Sequence, residues 1–180
     1  MTDSLPQPHR VAPFRVALVC LGNICRSPIA HVVLEQRLAE AGLDDRVEVA
    51  SAGTGGWHTG EPMDQRAADV LSNAGYDPSR HVARRFTTDW YAENDLILAM
   101  DESNFADISE VAPDVASLDK VRMFRDFDPE ATERDNEVPD PWFGGPDGFR
   151  FVLAMVERTV DRLIQDLTVR LRRREGGEEA

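Results

Sequence analysis

Cys20-Leu21-Gly22-Asn23-Ile24-Cys25-Arg26-Ser27 sets a cysteine and an arginine with five residues between them, glycine and asparagine included. Successive backbone N–H groups in a tight loop can curl into a nest that holds an anion, and a helix N-terminus behind it adds about half a positive charge. A cysteine placed there has its thiolate stabilised and becomes a nucleophile. Arg26 would supply a planar fork suited to bidentate phosphate binding, which lysine does not reproduce. Ser27 can cap the helix and donate a hydrogen bond to the sulfur, while Gly22 and Asn23 tolerate a left-handed backbone. The plainer alternative makes Cys20 and Cys25 buried packing residues and Arg26 a surface cation. Against it stands the coincidence of the spacing, the Gly/Asn content and the neighbouring elements.

Those elements are a strand before the loop and a helix after it. Arg15–Leu21 (RVALVCL) is a short, β-branched apolar run, as a buried strand requires. Ser27-Pro28 reads as an N-cap followed by a first-turn proline, and Ile29, Val32, Val33, Leu38 and Ala41 continue as a helical stripe up to Gly42. The alternation then repeats. Val47–Ser51, Asp95–Met100 and Val121–Phe127 read as strands, with Asp64–Ala74 and Asp101–Val111 as helices. A Pro/Asp/Gly-rich loop spans Asp128–Gly148. The closing helix carries Phe149, Val152, Leu153, Val156, Val160, Leu163, Ile164, Leu167 and Leu171 at spacings of three and four. Such alternation predicts an α/β fold with a mostly parallel sheet, and the loop at the C-terminal end of its first strand lies where such sheets bind ligands.

With 180 residues and no internal linker, the chain is expected to form one domain over 14–174. Residues 1–13, which hold three prolines, are expected to be a mobile lead-in, and 175–180 a frayed tail. The formal net charge of −13 argues against a nucleic-acid surface. Arg170, Arg172, Arg173 and Arg174 form the only basic run, expected to be a solvated helix end. No apolar run reaches the length of a membrane span, no signal peptide is apparent, and two cysteines suggest a reducing compartment, so a cytoplasmic location is expected. GxxxxGK[ST], HExxH, CxxC and GxSxG are all absent, and no metal or cofactor is expected.

CLGNICRSP, beginning at Cys20, resembles the phosphate-binding loop of the low-molecular-weight protein tyrosine phosphatases, and SAGT (Ser51–Thr54), LAMDESN (Leu98–Asn104) and DPWFGG (Asp140–Gly145) follow in that family's order. The resemblance covers roughly residues 14–170. It implies a three-layer α/β/α sandwich around a four-stranded parallel sheet, with Cys20 as nucleophile, Arg26 holding the phosphoryl group and Asp140 as general acid. Leu21, Gly22, Ile24 and Cys25 complete the loop. Asn23, Ser27, Ser51 and His81 fall where the family keeps the polar network that shapes it, and Cys25 matches a second cysteine that can form a protective disulfide with the nucleophile. From its type alone His81 could equally be a satisfied core or surface histidine, and Asp140 is one of 33 acids with only an Asp-Pro turn signal.

Trp57, Trp142 and Phe143 lie in Gly/Pro-rich loops, where large rings either pin a loop to the core or, as the resemblance implies, wall a slot deep enough to favour phosphotyrosine over phosphoserine. His58 is expected at the entrance. Trp142 and Phe143 replace tyrosines found in many relatives, which removes control by tyrosine phosphorylation at those positions. The implied reaction is hydrolysis of phosphotyrosine proteins to inorganic phosphate, through a cysteinyl-phosphate and without nucleic acid or membrane partners. A protein-arginine phosphatase of the same fold tends to carry Thr where Ile24 stands. An arsenate reductase needs a third cysteine after Cys25. A non-catalytic phosphotyrosine-binding or thiol redox module leaves Asp140 without a purpose.

Overall fold

The computed structural model describes residues 5–6 and 13–177, with side chains through Arg173. The remaining residues of the expected lead-in and tail lie outside that description. The sheet is built outward from β1 (Phe14–Cys20), a strand with no turn-forming residue and six of its seven residues buried. It pairs in parallel with β2 (Val47–Gly53) on one side and β3 (Leu96–Ala99) on the other, and β3 pairs with β4 (Val121–Met123). The order is β2-β1-β3-β4, all parallel. An all-parallel sheet must be covered on both faces.

The two-residue period of β1 decides which face receives what. Phe14, Val16, Leu18 and Cys20 point into the larger core, with Ile29, Val33 and Leu34 of α1 (Arg26–Glu40) and Val156, Val160 and Leu163 of α6 (Pro146–Gly177). Ala67 and Leu71 of α2 (Gln65–Asn73) join them. Ala17 and Val19 face the opposite way, onto Trp90 and Tyr91 of α3 (Asp89–Glu93) and Ile108 of α4 (Glu102–Glu110). The short α5 (Val115–Leu118) leads into β4, its first turn capped by the Asp114 carboxylate on the Ser117 amide. The strand's parity therefore delivers the Cys20 side chain to the layer that holds the N-terminus of α1. Gly42 and Gly75 end their helices at φ +67° and +88°, where other residues are strained.

Several expectations give way to the packing. The strand expected over Val121–Phe127 stops at Met123, and Phe124–Phe127 forms a 3-10 turn in which the Asp126 carboxylate accepts from the Met123 amide. Neither α3 nor α5, at five and four residues, has enough apolar period to be read from sequence. Arg170 is not solvated. It shares a helix face with Leu163 and Leu167, is buried, and donates to the Pro6 carbonyl at 3.1 Å, while Arg172 and Arg173 are exposed. Leu5, inside the expected lead-in, is buried in the larger core. Among the described residues no helix is long and apolar enough to cross a membrane.

Candidate active site

The loop between β1 and α1 turns its carbonyls outward. The Cys20 carbonyl accepts from the Thr54 amide (2.9 Å), Leu21 from the Gly55 amide (2.9 Å) and Ile24 from the Asp64 amide (2.8 Å). The Asn23 carbonyl accepts from Nε2 of His81 at 2.8 Å. With those oxygens tied outside, the amides face the loop's hollow, and those of Leu21 to Cys25 donate no hydrogen bond within the described residues. A ring of free N–H groups at the N-terminus of a fifteen-residue helix is an anion cradle.

Asn23 holds the loop in this shape. It is the one described non-glycine residue at positive φ (57°), an asparagine-tolerant conformation. Its Nδ2 donates to Ser27 Oγ (2.8 Å) and Ser51 Oγ (3.1 Å), and its Oδ1 accepts from the Arg84 amide (2.9 Å). Gly22 does not adopt the left-handed backbone expected of it; a Cβ there would instead sit 3.2 Å from His58 Cδ2. Ser27 is not the N-cap either. The helix starts at Arg26, Cys25 caps it without a side-chain bond, and the Ser27 hydroxyl lies 3.0 Å from Cys20 Sγ. Within the first turn of the helix, the serine hydroxyl is turned to the sulfur instead.

Cys20 and Cys25 are buried free thiols. Burial, reinforced by Asp64, Cys20 and Asp140, pushes the Cys25 thiol up to about 12, which keeps it protonated at neutral pH and leaves Cys20 as the nucleophile of the pair. Burial likewise pushes His81 down to about 4, against the bond to the Asn23 carbonyl that favours its charged form. His81 is thus a neutral donor within the network.

Arg26 is only 3% exposed, and its Nη1 donates to Asp101 Oδ2 (2.5 Å) and the Val138 carbonyl (3.1 Å). Burial alone would depress the guanidinium, but Cys20, Asp101 and Asp140 hold it above its ordinary range. Nη2 lies 3.4 Å from Asp140 Oδ2, so the acid from the far loop reaches the cradle. The Asp140 side chain is 40% exposed, and its Oδ1 accepts from the Trp142 amide (3.1 Å).

Residue types alone pointed to none of the groups that aim these side chains. Asp101 orients Arg26 and also caps α4 through the Asn104 amide (2.7 Å). His31 Nδ1 lies 2.9 Å from Ser51 Oγ. Gly53 is required because a Cβ would lie 2.6 Å from the Leu21 carbonyl oxygen. Arg66 grips both Asp64 oxygens at 3.0 Å, donates to the Trp142 carbonyl (3.0 Å), and stacks 5.3 Å from the Trp142 ring. Buried Arg125 joins Asp128 (2.9 Å), Asp135 (2.8 Å) and the Glu137 carbonyl (2.9 Å), fixing the approach to Asp140. A capping bond on α4 and a clasp on α2 were the only signals such residues could have given.

Among the expected slot walls, Trp142 is 40% exposed, with the His58 ring tilted against it at 6.3 Å. Trp57 stands 72% exposed beside Leu21. Phe143 is 94% exposed and covers nothing here.

Comparison with known proteins agrees with this geometry. Residues 15–173 match the family model for low molecular weight phosphotyrosine protein phosphatases. A low molecular weight protein-tyrosine-phosphatase of Streptomyces coelicolor is 46% identical over 144 residues, covering 80% of this chain and 87% of that protein. Low molecular weight protein-tyrosine phosphatase A of Mycobacterium tuberculosis is 40% identical over 161 residues, 89% of this chain and 96% of that one. The crystal structure of a protein tyrosine phosphatase from Entamoeba histolytica superposes with a TM-score of 0.81 at 32% identity, over 86% of this chain and 97% of that one. The chain belongs to the low molecular weight phosphotyrosine protein phosphatase family, and it is accordingly a protein-tyrosine phosphatase working through a cysteinyl-phosphate.

Proposed function

We propose that Cys20, Arg26 and Asp140 carry the reaction, in one catalytic domain over 14–174 that acts on phosphotyrosine proteins in the cytoplasm. The observation that supports this most is the cradle itself: inward amides, a sulfur at its base with Ser27 Oγ at 3.0 Å, and Arg26 linked to Asp140 at 3.4 Å.

The Cys20 thiolate attacks phosphorus in line. A sulfur–phosphorus bond forms as the phosphorus–oxygen bond to tyrosine breaks, and protonated Asp140 gives its proton to the departing oxygen. Water then attacks the thiophosphate, Asp140 takes a proton back, and the thiolate and inorganic phosphate are released. Charge on the equatorial oxygens is held by the loop amides and by the buried guanidinium. Leu21, Gly22, Ile24 and Cys25 shape the loop, while Asn23, Ser27, Ser51 and His81 stiffen it. Trp57, Trp142 and Phe143 flank the ring, Phe143 moving in from solvent to do so. Oxidation of Cys20 by peroxide to a sulfenic acid would let the Cys25 thiol condense with it, giving a disulfide and water.

The test compares wild type, Cys20→Ser and Asp140→Asn on para-nitrophenyl phosphate and a phosphotyrosine peptide, with chelator present. Cys20→Ser should abolish turnover, and Asp140→Asn should cost about 10²–10⁴-fold, more on the peptide, whose phenol is the poorer leaving group. Activity surviving in Cys20→Ser would overturn the assignment.

A further inference from the structure

Behind the Leu21–Trp57 wall lies a second depression, a groove of about 690 Å³ running from the catalytic loop to the end of α4. Leu21, next to the nucleophile, and the largely exposed Trp57 ring form its near end. Phe86 and Val111 supply apolar surface, and Asp107 and Glu110 stand on the α4 wall. Both carboxylates are exposed, and neither has an ion partner among the described residues.

Resting on the phosphatase reading of the adjoining site, we infer that this groove receives a lysine or arginine side chain of the substrate, close in sequence to the phosphotyrosine. Continuity places it there: a peptide whose phosphotyrosine enters the loop must pass over Leu21 and Trp57, the two residues the site and the groove share. Charge selects the occupant. Asp107 and Glu110 lie in the last turn of α4, whose C-terminal end carries partial negative charge, so a cation is favoured twice over. Arg85 is the opposing charge in the groove. Its stem packs along Gly56, where an added Cβ would sit 3.1 Å from Arg85 Cδ, so it forms part of the groove wall there and is outnumbered two to one. The chemistry of the groove also matches a long basic side chain along its length. Methylene stems lie on the Trp57 and Val111 surfaces, the charged head reaches the carboxylates, and an indole face attracts a cation.

The experiment measures kcat/KM on phosphotyrosine peptides in which one residue, moved from −3 to +3, is lysine, its neutral isostere norleucine, or glutamate. At about 150 mM salt, long-range attraction to an acidic protein is largely screened. Wild type should prefer lysine to norleucine by about 5-fold at one or two positions, the size expected from two exposed ion pairs. Asp107→Asn with Glu110→Gln should bring that ratio to near one. A charge-matched control outside the groove, Glu93→Gln with Glu133→Gln, should keep it. A preference that is equal at every position, that survives loss of the two groove carboxylates, or that falls on glutamate would overturn the inference, the last by giving the groove to Arg85. Failure of the phosphatase reading would be distinguishable, because wild type would then leave para-nitrophenyl phosphate intact as well.

Discussion

Replacing Asn23 by alanine and, separately, by glycine separates what its side chain contributes from what its backbone demands. Both substitutions remove the same bonds: two from Nδ2 to Ser27 and Ser51, and one from the Arg84 amide to Oδ1. At about 1 kcal/mol net for each bond, either variant should lose about 3 kcal/mol. The backbone then divides them. At φ 57°, alanine bears a further cost of about 1–2 kcal/mol that glycine escapes. Where the backbone is unstrained the order is reversed, because alanine lowers the entropy of the unfolded chain and gains about 0.4–1 kcal/mol over glycine. Urea unfolding monitored by tryptophan fluorescence should place Asn23→Gly above Asn23→Ala by about 0.5–1.5 kcal/mol, the strain less that entropy gain. The glycine variant should also keep more of its kcat, since its loop can still turn the carbonyls outward. Equal stability, or alanine the more stable, would refute the claim that the left-handed residue shapes the cradle.

His81 is held neutral at about 4, so the unfolded chain, where it titrates near 6.5, takes up the proton first as pH falls. Its contribution is therefore complete above about pH 6.5 and is lost between there and about pH 4. The stability gap between wild type and His81→Gln should narrow by about 1–2 kcal/mol from pH 7.5 to 5, allowing for partial exposure; a constant gap would refute the assignment. Arg66→Ala should release the Trp142 segment and lower kcat/KM on a phosphotyrosine peptide about 10-fold, with a melting shift of no more than about 3 °C. Arg66→Lys should not restore activity, since one ammonium cannot hold both Asp64 oxygens and the Trp142 carbonyl together. Undiminished kcat/KM in Arg66→Ala would show that the clasp is ornamental to catalysis.

The cradle was legible because its chemistry is local. Cys20, Asn23, Arg26 and Ser27 lie within eight residues, on one turn whose strand and helix announce themselves by apolar period. The partners that aim them come from far along the chain. Asp101 is 75 residues from Arg26, and Val138 is 112 residues away. Nothing in the type or spacing of such residues marks them, and they meet only because the parallel sheet gathers its strand ends on one edge. Asp140 belonged to this second class and was reached through resemblance. Arg170 failed for the opposite reason: three further arginines nearby hid the fact that its position falls on the apolar face of the helix.

A formal charge of −13 looks hostile to a phosphate dianion, but the two fields act over different distances. Exposed carboxylates are screened within roughly 8 Å at physiological salt, so the surface weakly opposes approach and contributes little once contact is made. The loop amides and Arg26 lie out of that screening, where a fixed dipole acts at full strength and needs no reorganisation. Asp101 and Asp140 do not cancel this. They bind the guanidinium, while the loop amides from Leu21 to Cys25 donate to no described group and are left for the anion. With anion binding confined to so small a place, the acidic exterior is free to discriminate among what surrounds the phosphotyrosine. The carboxylates on the α4 wall stand within that exterior, lining a groove that Leu21 of the nucleophile's own loop also lines.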